Sequence, residues 1–302
     1  MYNSVNDYYK EKFGCKVYKL SLVGATTCPN RDGKVGFGGC SFCSDDGSGF
    51  FAEEKCDTVA EQLKRAKERV SKKIKEGKYI AYFQSYTNTY GDINYLEKIF
   101  LEAIKPDYIV GLAIGTRPDC LSDETVKMLS KINKIKPVCI ELGLQTIHDK
   151  TAESFNRCYK TVVFDDAVAR LKAENLEVVV HMIIGLPNET KEMIVQTAEH
   201  IGKSGADGIK FHLLYLLCNT RLYEEYKKGL FETLERDEYV DVLEECIRVI
   251  PQNMIIHRLT GDPPKSQLAA PLWSADKKSV LNYINKRFKE DNLIQGAKYK
   301  TP

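Results

Sequence analysis

Three cysteines near the N-terminus, Cys28, Cys40 and Cys43, have the residue type and spacing best suited to chemistry. Eleven residues separate the first two and two separate the last two, in a polar, glycine-rich stretch that follows an apolar run. A close pair and one distant partner on such a loop could hold one inorganic centre. Cysteine thiolates hold iron–sulfur clusters, and a cluster of four irons takes four ligands. Three thiolates would therefore leave one iron open to a ligand that is not protein.

Three other interpretations of these cysteines fit the sequence less well. A structural zinc site needs four ligands, usually as two close pairs, but Cys56 stands alone and the chain has no second CxxC. A thioredoxin-like redox pair would use Cys40 and Cys43 and leave Cys28 unexplained. Idle buried cysteines would need an apolar core, and this segment is polar. We therefore favour a cluster site.

The composition is that of an ordinary globular protein, with 302 residues, 43% of them apolar and 28% charged. No run reaches the roughly 18 apolar residues of a membrane span, and the polar N-terminus lacks the apolar core of a signal peptide. We expect a cytoplasmic protein without membrane contact. Its ten cysteines are spread thinly, so reduced thiols are expected.

The net charge is only +2, but two regions are basic. Residues 57–78 hold eight basic and four acidic side chains, and residues 254–302 hold nine basic and four acidic ones. They are either solvated helix faces and a polar tail, or a surface that contacts a phosphate backbone.

Short β-rich apolar runs alternate with helical patterns along the chain, which predicts a parallel sheet. Six such βα units form either a partial barrel or an open sheet, and periodicity alone does not decide. Helix starts are marked by Ser122, followed by Asp123 and Glu124, and by Asn188, followed by Glu189. Strands are predicted near 17–24, 78–85, 107–114, 137–144, 177–184 and 208–215, and helices near 57–76, 93–104, 122–133, 161–174 and 189–203.

Polar and glycine residues follow these strands where the strands end. Ligands gather at the carboxyl ends of parallel strands in both architectures, so these residues predict a site there. They are the three-cysteine loop, residues 84–88, residues 115–119, residues 141–146, and His181 with residues 185–188.

The βα repeat ends after the sixth strand. Residues 221–250 predict two helices, the first ending near Gly229 and the second running from about 236 to 250. A strand at 254–259 and a last helix near 276–289 follow. We divide the chain into an N-terminal segment (1–16), a barrel (17–220) and a C-terminal α/β extension (221–302) that covers the barrel.

Several ordered motifs resemble the radical SAM enzymes, within the branch related to the Elongator catalytic subunit and the oxygen-independent coproporphyrinogen oxidases. Besides the cysteines, the resemblance covers nearly the whole chain through GTRPD at 115–119, ELGLQT at 141–146, NRCY at 156–159, IIGLPNET at 183–190 and HRLTGDPP at 257–264. The loop with CPNRDG at 28–33 and GGCSFC at 38–43 is most similar to a subgroup of short bacterial members implicated in modification of the tRNA wobble uridine.

The resemblance implies a partial (β/α)6 barrel, similar to a TIM barrel, with a 4Fe-4S cluster on Cys28, Cys40 and Cys43. The open iron would bind the amino and carboxylate groups of S-adenosyl-L-methionine (SAM). An electron from a partner such as flavodoxin or ferredoxin would then cleave SAM to a 5′-deoxyadenosyl radical. The cofactors carry the difficult step, and the protein positions them.

The resemblance also implies which residues contact SAM. Arg157 suits the methionyl carboxylate because its forked cation is permanent. Glu141 would replace a glutamate that relatives often carry where this chain has Gly115. The implied SAM contacts are Gln84, Ser85, Glu141, Gln145, Arg157, His181, Gly185 and Leu186.

We expect a radical SAM enzyme that tailors the C5 side chain of the tRNA wobble uridine. One alternative is a small-molecule substrate such as a tetrapyrrole, which would leave no salt-sensitive tRNA binding. Another is a non-enzymatic iron–sulfur sensor or carrier, which would release no 5′-deoxyadenosine. A second metal cluster is not expected, because the remaining cysteines are isolated at positions 15, 56, 120, 139, 158, 218 and 246.

Overall fold

Seven parallel strands form one sheet in the computed structural model, which describes residues 1–24, 27–44, 47, 58–71 and 77–301. The sheet curls into a half-barrel with helices packed on it, which confirms the predicted α/β class. Six strands are β1 (Val17–Leu22), β2 (Lys78–Phe83), β3 (Ile109–Thr116), β4 (Val138–Gln145), β5 (Glu177–Ile184) and β6 (Gly208–Leu213). A separate antiparallel pair joins β7 (Leu216–Leu217) to β9 (Leu268–Ala270), and the seventh sheet strand is β8 (Ile255–Arg258).

The helices of the described chain lie close to their predicted positions, except for two that the periodicity did not predict, α1 and α5. They are α1 (Val5–Phe13), α2 (Val59–Ser71), α3 (Ile93–Ile104), α4 (Asp123–Asn133), α5 (Asp149–Ser154), α6 (Thr161–Ala173), α7 (Lys191–Lys203), α8 (Arg221–Lys227), α9 (Arg236–Val249) and α10 (Lys277–Glu290). Residues 57 and 72–76 of the helix predicted near 57–76 lie outside the described residues. None of the helices that the structure describes is long and apolar enough to cross a membrane.

The strand predicted at 254–259 belongs to the sheet, which corrects the expectation of six barrel strands. Ile255 pairs in parallel with Gly208, and Arg258 pairs with Lys210. A Cβ atom at position 208 would lie 2.9 Å from the His257 ring, so the glycine allows β8 to approach β6 closely. The sequence did not indicate this pairing, because a short strand after two helices has the same pattern whether or not it joins the sheet.

Of the two helix starts predicted from capping residues, one is found at the predicted cap and the other two residues later. The Ser122 side chain accepts from the Thr125 backbone N–H and caps α4, as predicted. The helix predicted near 189 begins instead at Lys191, because Thr190 caps it by accepting from the Met193 backbone N–H. Asn188 adopts a φ of 64° in the preceding turn, a backbone conformation that asparagine tolerates better than most residues.

The two faces of the sheet differ because side chains alternate along each strand. On the outer face, the Phe83 ring packs edge-on against Phe100 of α3 at a centroid distance of 5.1 Å. Inside, the lowest layer is apolar and α1 closes it from below, where Tyr9 packs with Val17, Ile80, Cys139 and Val179.

Two residues further along the same strands, the interior becomes polar. This middle layer contains Lys19, Tyr82, Glu141, His181 and Lys210, which we call the Glu141 network. Two residues beyond it, Gln84, Gly143, Ile183 and His212 face a cavity. Because side chains alternate along each strand, the interior of the half-barrel has three layers in order: the apolar layer, the Glu141 network and the cavity.

Candidate functional site

One cavity of about 270 Å³ lies where the carboxyl ends of the strands meet the cysteine loop. Cys28, Cys40 and Cys43 line one part of it, and the ends of β2 to β6 and β8 line the rest. Its size is close to the lower end of the range for small-molecule sites. Residues from the predicted strand-end groups 84–88, 115–119 and 141–146 line it together with His181, whereas residues 185–188 do not.

Two asparagines hold the cysteine loop in place. Asn30 is fully buried and donates from Nδ2 to the Asn156 carbonyl at 2.5 Å. In return, Asn156 donates to the carbonyls of Phe37 and Gly39 at 3.1 and 2.9 Å. A Cβ atom at Gly36 would lie 2.2 Å from Asn30 Oδ1, so a side chain there would displace this contact.

The CxxC segment is fixed at both faces by backbone hydrogen bonds. The Ser41 N–H donates to the Phe155 carbonyl at 3.0 Å, and the Leu222 N–H donates to the Ser41 carbonyl at 3.0 Å. The Cys43 N–H donates to the Cys40 carbonyl at 3.0 Å and closes a tight turn between the two cysteines. The loop is thus attached to both the barrel and the start of α8.

The three thiols are a donor set of the kind that holds iron–sulfur clusters. The hydrogen bond with Cys43 and burial raise the pKa of Cys40, while Arg117 opposes that shift. Within the described ranges, no three His, Cys, Asp or Glu side chains are close enough to share one metal ion. Cysteine thiolates are the ligands of iron–sulfur clusters, and Cys28, Cys40 and Cys43 line one cavity, so this donor set fits such a cluster.

Arg117, from the GTRPD motif, lies at the cavity wall near the thiols. Its Nε and one terminal nitrogen donate to the Asp119 carboxylate at 2.9 and 2.7 Å. The guanidinium also lies 5.0 Å from the centroid of the Tyr159 ring. Asp119 and Tyr159 therefore hold a cation against the site.

Arg157 also lines the cavity, but its donors are used within the protein. An arginine has five N–H donors. Those of Arg157 reach one carboxylate, one hydroxyl and three backbone carbonyls, with partners Asp149, Thr161, Leu144, Thr146 and Tyr159 at 2.6 to 3.4 Å. The side chain is fully buried and ties the end of β4 to the segment that follows it.

Glu141 receives hydrogen bonds from four other strands at the cavity floor. Lys19 donates to one carboxylate oxygen at 2.5 Å. The other oxygen accepts from Tyr82 at 2.6 Å, from His181 at 3.0 Å and from Lys210. Both lysine ammonium groups also lie over the Tyr82 ring, at 4.8 and 4.9 Å from its centroid.

This network sets the protonation of its members. Burial would raise the pKa of Glu141, but Lys19 and Lys210 hold it well below its usual value. Burial lowers the pKa of Lys210 to about 7, although Glu141 opposes the shift. Burial and Lys210 likewise lower the pKa of His181 to about 4, so the imidazole is neutral at pH 7.

The other residues implied as SAM contacts divide into two groups. Gln84 and Gln145 line the cavity, and Gln145 adopts a φ of 67° at an irregularity between β4 and β5. Ser85, Gly185 and Leu186 are not among the described residues that line it. Leu186 is buried in a neighbouring apolar cluster.

Lys19, Lys210, His212 and Arg258 belong to this site or its floor but were not predicted from the sequence, whereas Arg117 was predicted as one of the strand-end residues 115–119. A signal was present in Lys19 and Lys210, each of which is a lone charge inside an apolar strand. Such a charge needs a buried partner. Arg258 lies within a motif that was identified, but nothing local indicates that its side chain faces the cavity.

Many basic side chains in the two basic regions already have acidic or aromatic neighbours. Arg287 pairs with Asp241 at 2.7 Å, and Lys298 pairs with Glu245 at 2.5 Å. In α2, Lys67 lies 3.9 Å from the centroid of the Tyr108 ring. These contacts offset part of the local positive charge.

Sequence comparison places this geometry in a family. Residues 26–201 match the radical SAM superfamily, and residues 206–290 match the Radical_SAM C-terminal domain. The chain belongs to the radical SAM superfamily. The predicted resemblance is confirmed, and the cavity beside the three cysteines is the candidate active site of a radical SAM enzyme.

Similar proteins include some that carry functional names. YtqA of Bacillus subtilis is 41% identical over 98% of this chain and 92% of its own length. The tRNA uridine(34) acetyltransferase of Methanocaldococcus jannaschii is 25% identical over 62% of this chain and 34% of its own. Among solved structures, Elp3 of Methanocaldococcus infernus has a TM-score of 0.71 at 19% identity, over 92% of this chain and 64% of that one, which shows the shared fold.

Acid pH should destabilise the protein partly through His181. Its pKa is about 4 in the folded protein against an ordinary 6.5, so between these values the unfolded chain binds more protons and stability falls as pH falls. Replacing His181 with Gln keeps a donor for Glu141 and should reduce this fall by roughly 1–3 kcal/mol between pH 6.5 and 4. Urea unfolding at several pH values measures it.

The matched control is His200→Gln on α7, where the imidazole pairs with Asp165 near the surface. Its pH dependence should follow that of the wild type. An unchanged pH dependence in His181→Gln would show that this imidazole titrates normally in the folded protein.

Proposed function

We propose that this enzyme holds a 4Fe-4S cluster on Cys28, Cys40 and Cys43, cleaves SAM reductively, and modifies the C5 side chain of the tRNA wobble uridine. The observation that carries the proposal is that the three thiols line the same cavity as the strand-end residues. Aminomethyl-type substituents at C5 are a natural target for radical cleavage or transfer.

The proposal that tRNA is the substrate is supported by sequence similarity to a named relative more than by surface charge. The name of the Methanocaldococcus jannaschii relative, tRNA uridine(34) acetyltransferase, supports uridine 34, the wobble position, as the substrate. The basic regions add less support, because ion pairs such as Arg287 with Asp241 offset part of their charge.

The chain's own residues would position SAM and exclude water. When bound, the cluster would supply the electron that splits SAM into methionine and a 5′-deoxyadenosyl radical, which removes a hydrogen atom from the substrate. The apolar wall, which includes Phe42, Ile183, Leu214 and Leu217, would keep water away from the reacting groups.

We assign the methionyl carboxylate to Arg117 and a structural role to Arg157. Both guanidinium groups line the cavity, but all three nitrogens of Arg157 already donate to carbonyls, Asp149 and Thr161. Arg117 donates from Nε and one terminal nitrogen to Asp119 and to the Arg157 carbonyl, and its other terminal nitrogen makes no hydrogen bond to the described residues. Arg117 is close enough to the cysteines that its charge lowers the pKa of Cys40, while Cys28 raises the pKa of Arg117. Gln84 and Gln145 are the amides placed to contact the polar groups of SAM, and Glu141 and His181 form the polar floor beneath them.

Two partners complete the proposal. The electron would come from a small reductant such as flavodoxin or ferredoxin, and the reaction would take place in the cytoplasm. A reducing compartment suits the free thiols that this chain carries.

Replacing Arg117 with Met should weaken SAM binding about ten-fold or more, because a charge-assisted hydrogen bond contributes about 1.5–3 kcal/mol. Equilibrium binding of SAM to the anaerobically reconstituted protein measures the loss. Arg117→Lys should keep part of the affinity, and Arg170→Met, whose guanidinium pairs with Asp166 outside the cavity, should keep all of it. Wild-type affinity in an Arg117→Met protein with full iron content would contradict the assignment.

Deleting the gene should remove or alter one modified wobble uridine in cellular tRNA, since the enzyme acts on its C5 side chain. Mass spectrometry of digested tRNA measures the change. A wild-type copy and Cys15→Ser should restore the nucleoside, whereas Cys28→Ser should not. Identical nucleoside profiles with and without the gene would exclude tRNA as the substrate.

A further inference from the structure

Arg258 is a cation on the cavity wall that the mechanism proposed above does not use. It ends β8 and pairs in register with Lys210 of β6. The side chain is partly buried and lines the same cavity as the cysteines. Within the part of the chain that the structure describes, no carboxylate lies within ion-pair distance of its guanidinium, although Arg258 perturbs the pKa of several neighbours.

The nearest acidic groups in this cavity are held by other cations. Asp262 also lines the cavity, but its carboxylate lies 2.5 Å from Lys277 Nζ. Glu141 is shared by Lys19 and Lys210 at the floor. Each of these two carboxylates therefore already contacts another cation, and neither of them pairs with Arg258.

The interior of the half-barrel thus holds more positive than negative charge. Among the described residues, Lys19, Lys210 and Arg258 have Glu141 as the one carboxylate that compensates them, since Asp262 pairs with Lys277. Even where Lys210, whose pKa is lowered to about 7, is neutral, Lys19 and Arg258 outnumber that carboxylate. Holding a cation partly out of water without a counter-ion is costly. Burial and the charge of Arg258 lower the pKa of His212, so this imidazole stays neutral and adds no further charge.

His212 supplies a second polar group that has no partner among the described residues. Its Nε2 atom is buried and makes no hydrogen bond to any of them, although the residue lines the cavity. Its ring lies 4.9 Å from that of His181, which is engaged by Glu141. A neutral imidazole can donate one hydrogen bond, and beside a guanidinium this donor favours an anionic acceptor.

We propose that Arg258 and His212 form a subsite for an oxyanion of the substrate. The group would be either a carboxylate on the substituent being modified or a phosphate next to the modified base. The forked donors of arginine match the two oxygens that both groups present. Because this subsite lines the cavity that would hold SAM, it would place the anionic end of the substrate and so fix which carbon faces the radical.

This inference rests on the proposed function, because it assumes that the cavity admits a substrate. It narrows the substrate to one that carries negative charge at the reacting end. A neutral substrate would cover the partly buried Arg258 guanidinium without supplying a counter-ion.

The test measures binding of three probes to the reconstituted full-length protein: uridine, 5-carboxymethyluridine and uridine 5′-monophosphate. Wild-type protein should bind at least one anionic probe about ten-fold more tightly than uridine, in line with a charge-assisted contact. Arg258→Met should remove this preference and leave uridine binding within about two-fold. A preference for 5-carboxymethyluridine alone assigns the carboxylate, and one for the monophosphate alone assigns the phosphate.

Two further variants keep the test falsifiable. Arg258→Lys retains the charge and should retain part of the preference even if Arg258→Met folds poorly. Arg287→Met removes a surface arginine that pairs with Asp241, and it should change nothing. The proposal is overturned if wild-type protein prefers no anionic probe, or if Arg258→Met weakens all three probes equally.

The probe-binding test and the gene-deletion test can fail independently of each other. If gene deletion leaves tRNA nucleosides unchanged while Arg258 still selects an anionic probe, the subsite stands and the tRNA substrate falls. If the nucleosides change but no anionic preference is found, the tRNA substrate stands and the subsite falls.

Discussion

The buried carboxylate of Glu141 is the contact on which the inside of this half-barrel depends. It accepts hydrogen bonds from side chains on β1, β2, β5 and β6, so one residue of β4 joins five strands from within. This carboxylate compensates the buried Lys210 and the half-buried Lys19, and breaking such a pair leaves an uncompensated charge inside the protein. Inward side chains of β1 and β6, which have four strands between them in the sheet, share this acceptor across the half-barrel.

The Glu141 network also separates two regions with different requirements. Below it, Tyr9 and the apolar layer seal the barrel against water. Above it, the cavity stays polar and open towards the cysteine loop. The loop is held independently, through Asn30 and Asn156 and through Ser41 between Phe155 and Leu222. The thiols and the floor are thus positioned by two separate sets of contacts on either side of one cavity.

Much of this arrangement follows from local sequence patterns, because alternation along strands and helices is a short-range property. The six βα units, the Ser122 cap and the position of the cysteine loop are of this kind. Pairings between residues that are distant in the sequence do not follow from local patterns. The sequence does not show that β8 joins β6, that the donors of Arg157 bind backbone carbonyls, or that Lys19 and Lys210 meet at Glu141. Each depends on which strands become neighbours, and that is decided by packing of the whole sheet.

Release of 5′-deoxyadenosine from SAM is the most direct test of the central claim that the cysteine loop and the cavity form one radical-generating site. The anaerobically reconstituted and reduced protein should release this nucleoside, and Cys43→Ser should abolish its release while Cys218→Ser, an exposed cysteine outside the loop, should not. Release by Cys43→Ser equal to wild type, or no release by an iron-loaded wild-type protein, would contradict the account.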